Sequence, residues 1–122
     1  MTRVLVVDDD EDVVEVLSLS LSACRGWTVR TETSGSAALA ACAAFAPHAV
    51  LLDVEMPVLD GPAVLARLRA DPLTRELPVV FVTGAVEPGL AVRLRALGAA
   101  AVLPKPFDPL RIGDEVALAL GW

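Results

Sequence analysis

Positive charge is scarce in this chain. Lys and Arg number 10 against 16 Asp and Glu, the formal net charge is −6, and no basic residues cluster. Nucleic-acid binding draws most of its affinity from phosphate contacts, so this domain alone is not expected to bind nucleic acid. Cysteine is limited to Cys24 and Cys42, with no metal-ligand spacing, which fits reduced thiols in a cytoplasmic protein. The apolar stretches are broken by Pro47, His48 and Asp53, well short of the ~20 residues a membrane span needs. Met1 leads directly into a strand, with no signal-peptide pattern. No repeat, linker or low-complexity tract is present, and 122 residues fit one domain, taken here as 1–122. What is abundant is apolar: 55% of the chain, mostly Ala, Val and Leu, which excludes disorder and favours a compact α/β domain.

The rest of the chain is organised around Ala49 to Gly61, AVLLDVEMPVLDG. Four apolar residues run into Asp53, and Pro47, Pro57 and Gly61 limit the run to a strand's length. A continuous apolar run of that size is the mark of a parallel strand covered on both faces. Asp53 then stands at the strand's carboxyl end, where open α/β sheets bind their ligands.

Taken in order, residues 3–7 (RVLVV) form a first strand ending in Asp8, Asp9, Asp10, Glu11 and Asp12. Val13, Val16, Leu17, Leu21 and Cys24 follow at helical spacing. The helix macrodipole accounts for Asp10, Glu11 and Asp12 at the helix start. Asp8 and Asp9 precede the helix and need another reason. Residues 27–32 alternate as a second strand, and Ser34-Gly35 opens a helix to about Ala46, with Leu39, Cys42, Ala43 and Ala46 expected inside. Beyond the Asp53 strand, Asp60 caps a helix that has Pro62 in its first turn and ends near Asp71-Pro72. VVFV (79–82) is a fourth strand ending at Thr83-Gly84. Glu87 to Leu97 is helical by Leu90, Leu94 and Leu97, and Gly98 stops it. Ala99 to Leu103 is a fifth strand leading to Pro104-Lys105-Pro106, and Asp108-Pro109 starts a last helix to about Leu120. Strict alternation of five strands and five helices predicts a parallel sheet with right-handed crossovers and helices on both faces.

In such a fold every strand's carboxyl end lies on one edge. Four strands deliver a functional group there: Asp8 and Asp9, then Asp53, Thr83 and Lys105. Each alone has an ordinary explanation, a turn hydroxyl or a solvated cation; together they form a set. Clustered carboxylates raise one another's pKa unless neutralised. A hard divalent cation does this, and Mg²⁺ is held by one or two carboxylates plus waters and phosphate oxygens. Lys105 adds a point charge and Thr83 a hydrogen bond for a phosphoryl oxygen. A carboxylate nucleophile, a bridging metal and donors to the equatorial oxygens are what phosphoryl transfer requires.

VLVVDDD, LLDVEMPVLDG, VVFVTG and LPKPF together resemble the receiver domain of two-component response regulators, over essentially the whole chain. The resemblance implies a (βα)₅ flavodoxin-like doubly wound sheet of order 2-1-3-4-5, with Asp53 as phospho-acceptor. It implies Mg²⁺ on Asp8, Asp9, Asp53 and the backbone carbonyl of Glu55, Thr83 as switch hydroxyl, and Lys105, before a cis bond to Pro106, as phosphoryl partner. A histidine kinase or histidine phosphotransfer protein would donate the phosphoryl group. The surface of the fourth helix, fifth strand and fifth helix would then change towards a downstream effector. Such a domain assists its own phosphorylation and dephosphorylation in the cytoplasm and is not a turnover enzyme.

One departure from the family pattern matters. Relatives carry Tyr or Phe three residues before the lysine and rotate it inward on activation; here Val102 stands there, expected to be core. Glu55, two residues after the acceptor, is expected to influence dephosphorylation. His48, the one histidine, falls at the opposite end of its strand, and Trp122 is expected to pack on the last helix. Three rival readings share these residues: an aspartyl-phosphate phosphatase of the haloacid dehalogenase type, a pseudo-receiver that is not phosphorylated, and a receiver excised from a hybrid kinase or multidomain regulator. The phosphatase would need an Asp where Glu55 stands, and a cap domain. Homodimer formation through the last two helices is common among relatives, and no residue set in this sequence decides it.

Overall fold

A computed structural model describes residues 1–85 and 87–122. Five strands alternate with five helices: β1 (Arg3–Val7), α1 (Glu11–Arg25), β2 (Thr28–Glu32), α2 (Gly35–Phe45), β3 (Ala49–Leu52), α3 (Gly61–Ala70), β4 (Val79–Thr83), α4 (Leu90–Ala96), β5 (Ala101–Pro104) and α5 (Ile112–Leu120). All neighbouring strands are parallel, in the order β2-β1-β3-β4-β5. The fold is the five-stranded flavodoxin-like one expected.

Because alternate strand residues point to opposite faces, the continuous apolar strands feed two cores. Leu5, Val7, Val50, Leu52, Val79 and Phe81 meet α2, α3 and α4 on one face. Val4, Val6, Leu51 and Val82 meet α1 and α5 on the other. Val102 sits half-buried against the first of these cores, packed as an ordinary core side chain.

The helix phases differ from expectation in places. In α1 the buried residues are Val14, Leu17, Ser20 and Leu21, whereas Val16 and Cys24 are exposed. In α2 Ala38, Ala41 and Cys42 are buried, but Ala43 and Ala46 are exposed and Leu39 is half-buried. A helix made mostly of alanine offers little contrast between its faces, so periodicity cannot phase it. The fourth helix begins at Leu90 rather than Glu87, because Gly89 takes a left-handed φ of +78° after Pro88. Leu97 caps that helix and is exposed. Residues 108–111 form a turn closed by Ile112 N–H on the Asp108 carbonyl (2.9 Å), so α5 starts later than expected.

At the amino ends of the strands, far from the carboxylates, His48 Nδ1 accepts from Arg3 N–H at 2.9 Å, and the Arg3 guanidinium donates to the Phe45 and Ala46 carbonyls that end α2. These are packing roles. Trp122 meets Trp27 edge-to-face, centroids 5.3 Å apart, and its N–H reaches the Ala117 carbonyl of α5 at 2.8 Å. Among the described residues no helix is long and apolar enough to cross a membrane.

Candidate phosphoryl-transfer site

The sheet ladder itself brings the acids together. Asp53 N–H donates to the Val7 carbonyl at 3.0 Å, holding the ends of β3 and β1 side by side, and Asp8 N–H donates to the Glu32 carbonyl at 3.2 Å, tying the end of β1 to β2. Lys105 N–H donates to the Thr83 carbonyl at 2.9 Å, tying the ends of β4 and β5 in the same way. Asp8, Asp53 and Thr83 are buried, at 2%, 7% and 4% exposure, while Asp9 is exposed at the rim.

Lys105 closes the centre. Its Nζ lies 2.5 Å from Asp8 Oδ2 and 3.4 Å from Asp53 Oδ1. Burial works against its charge, but the hydrogen bond to Asp8 and the charges of Asp8 and Asp53 outweigh burial and push its pKa up. Main-chain donors engage both acids as well. Asp8 Oδ1 accepts from Asp10 N–H at 3.0 Å and Asp53 Oδ1 from Val54 N–H at 2.9 Å. Thr83 Oγ1 accepts from Ala85 N–H at 3.0 Å, which leaves its own proton free for a ligand. These main-chain donors leave no trace in residue identity, so a reading by side chains misses them. Lysine is different: Lys105 is the only lysine in the chain, a signal the sequence does carry.

Asp10 and Asp60 are helix caps, accepting from Asp12 and Ala63 N–H respectively, at 2.9 Å each. The Glu55 side chain is exposed. Asp9, Val54, Glu55, Met56, Pro57 and Asp60 line one open depression of about 470 Å³ beside the acids.

Asp8, Asp9 and Asp53 can each bring one carboxylate oxygen within 4.8 Å of the others. An all-oxygen, multiply anionic donor set of that size fits a hard divalent cation better than a soft one. Burial first and the Asp8 charge second push the Asp53 pKa up, against the pull of Lys105 and of Val54 N–H. A carboxyl that holds its proton more tightly folded than unfolded costs stability once ionised. That cost is fully present above the folded pKa and vanishes below the unfolded one. Asp53→Asn is therefore expected to raise the metal-free Tm at neutral pH by about 4 °C, about 1 kcal/mol for a chain of this size. The gap between the two proteins closes as pH falls through the raised pKa. Melting curves of both in chelator, across pH, check this, and equal Tm values at neutral pH would refute it.

Strand ends supplying acids, a hydroxyl and an ammonium to one edge define a known constellation. A family model described as the response regulator receiver domain matches residues 4–117. The chain belongs to that family. It is 40% identical over 114 residues to the response regulator PleD of Caulobacter vibrioides, covering 93% of this chain and 25% of PleD. It is 39% identical over 105 residues to the transcriptional regulatory protein PrrA of Mycobacterium tuberculosis, covering 86% of this chain and 44% of PrrA. The receiver thus spans a quarter to under half the length of these relatives. Among solved structures, the Vibrio cholerae chemotaxis response regulator CheY4 superposes with a TM-score of 0.89 at 28% identity, covering 98% of both chains. A receiver of two-component signalling, with a CheY-like fold, accounts for every element and for the acidic edge.

Proposed function

We propose that this receiver is switched by phosphorylation of Asp53, and that Asp8, Asp9, Asp53 and the Glu55 main-chain carbonyl hold Mg²⁺. The supporting observation is the convergence of Asp8, Asp53 and Lys105 within hydrogen-bonding reach at one sheet edge, with Thr83 at the end of the adjoining strand. Mg²⁺, when bound, offsets the charge of the acids and of the incoming phosphoryl oxygens. The donor is a histidine kinase or histidine phosphotransfer protein. The bond from Asp53 oxygen to phosphorus forms as the donor's nitrogen–phosphorus bond breaks, the bonding pair staying on the departing imidazole nitrogen. Lys105 exchanges part of its attraction to the acids for a phosphoryl oxygen, and the Thr83 hydroxyl donates to another. Because Thr83 Oγ1 also accepts from Ala85 N–H, its movement carries the chain that leads from β4 towards α4. The output is a changed surface around α4, β5 and α5, read by an effector protein or domain in the cytoplasm. Turnover is confined to the domain's own phosphoryl group.

Intact mass after incubation with Mg²⁺ and acetyl phosphate tests this reading. One phosphoryl adduct is expected, formed only where Mg²⁺ is present and absent from Asp53→Ala. An adduct that persists in Asp53→Ala would move the acceptor elsewhere. The absence of any adduct with acetyl phosphate and with a histidine-phosphorylated donor would leave a receiver fold without the chemistry.

A further inference from the structure

The loop from Asp53 to Asp60 carries backbone strain at a single residue. Val58 has φ +68°, a left-handed value that is a genuine outlier for a β-branched residue, and its side chain is fully exposed. Leu59 N–H donates across it to the Pro57 carbonyl at 2.8 Å, a three-residue turn of the rarer, strained hand. Something else must hold Val58 there.

Two features bracket the turn. On the near side Gly61 N–H donates to the Val54 carbonyl at 2.8 Å, closing the loop at its neck. On the far side the first residue of α2, Gly35, lies against Leu59. A Cβ on Gly35 would stand 2.6 Å from the Leu59 carbonyl oxygen and 2.9 Å from both Leu59 Cβ and Val64 Cγ2. Leu59 itself is half-buried against the core under α2 and α3. The bare start of α2 therefore sets how deeply Leu59 can seat.

We propose that Gly35 and Leu59 are positioning residues for the site: Gly35 lets Leu59 seat, the seated Leu59 holds the turn at Val58 left-handed, and that turn keeps Val54 to Met56, with the Glu55 carbonyl, against the acids. This rests on the metal-binding receiver reading above. The strain makes the device conditional. When Leu59 lifts, Val58 relaxes to negative φ and the loop opens. With glycine at 58 there is no spring, and a lifted Leu59 no longer drags Glu55 away.

Calorimetric titration with MgCl₂ of wild type, Gly35→Ala, Val58→Gly and the double variant, with a Tm for each, tests the device. Gly35→Ala is expected to bind Mg²⁺ about tenfold more weakly, as for lost support behind metal ligands. Val58→Gly alone keeps wild-type affinity with a higher Tm, since glycine adopts positive φ freely. The double variant recovers most of the lost affinity. A folded Gly35→Ala with wild-type affinity would overturn the proposal, as would a double variant no better than Gly35→Ala. Should Gly35→Ala fail to fold, Leu59→Ala removes the seated side chain without adding bulk, and the same loss and the same recovery by Val58→Gly are expected. A wild type that binds no Mg²⁺ overturns the metal reading and this inference together, whereas an indifferent Gly35→Ala beside a wild type that binds overturns this inference alone.

Discussion

Lys105→Ala is expected to lose about 3 kcal/mol of stability in the metal-free protein, the typical result of removing one member of a buried ion pair. It is also expected to slow phosphorylation by acetyl phosphate about a hundredfold, as loss of one preorganised donor does. Both effects come from the same geometry. Lys105 lies between two carboxylates that are nearly shut off from solvent, and its removal leaves them facing each other with, among the described residues, only main-chain donors for partners. The two losses are separable. Asp8→Asn in the Lys105→Ala background removes one charge of the facing pair and should restore much of the Tm, while phosphorylation stays slow. Acid should act in the same direction, because protonating either carboxyl relieves the repulsion. The Tm of Lys105→Ala is therefore expected to rise relative to wild type as pH falls into the carboxylate range. A Tm for Lys105→Ala equal to that of wild type at neutral pH would mean that solvent, not Lys105, neutralises this edge.

How much of this was legible in the sequence follows from which forces act locally. β1, β3 and β4 were legible because a strand buried on both faces has to be apolar throughout, so the first charged or hydroxyl residue marks its end: Asp8, Asp53 and, at the last strand position, Thr83. That also made the sheet edge and its side chains legible, since parallel crossovers carry every carboxyl end to one side. The phase of α2 was not, because alanine buries and exposes with little difference in cost. The start of α4 was not, because leucines at 90, 94 and 97 fit the helix period whether or not Pro88-Gly89 interrupts its first turn. Lys105 lies closer to Asp8 (2.5 Å) than to Asp53 (3.4 Å), and no residue pattern encodes that preference. The strain at Val58 was hidden for a related reason: a valine in a loop gives no sign of its φ.

Gly61→Ala is expected to be among the most damaging single-methyl changes in the chain, at about 3 kcal/mol, the upper part of the usual range for overpacking. The added Cβ would fall on the Asp53 carbonyl oxygen closer than any non-bonded approach allows, 2.8 Å from Phe81 Cε1 and 3.0 Å from Val54 Cα. Two of these three neighbours are main chain, and Phe81 is a fully buried ring of β4, so none can step aside cheaply. The gain in helix propensity from Gly to Ala, about 1 kcal/mol at most, offsets only part of the clash. Gly84→Ala is the matched control. Among the described residues its Cβ would meet nothing nearer than Lys105 Cβ at 3.9 Å, and its Tm should stay within about 2 °C of wild type. The contrast matters for function because the backbone that Gly61 crowds is the backbone of the proposed acceptor. Relief of the clash has to move Asp53 and Val54, and with them the Val54 N–H that orients the Asp53 carboxylate at 2.9 Å. The fraction of Gly61→Ala that remains folded should therefore also be labelled more slowly by acetyl phosphate. A variant with wild-type Tm and labelling would show that α3 can withdraw from β3 without cost. The start of α3 would then lie outside the site's support.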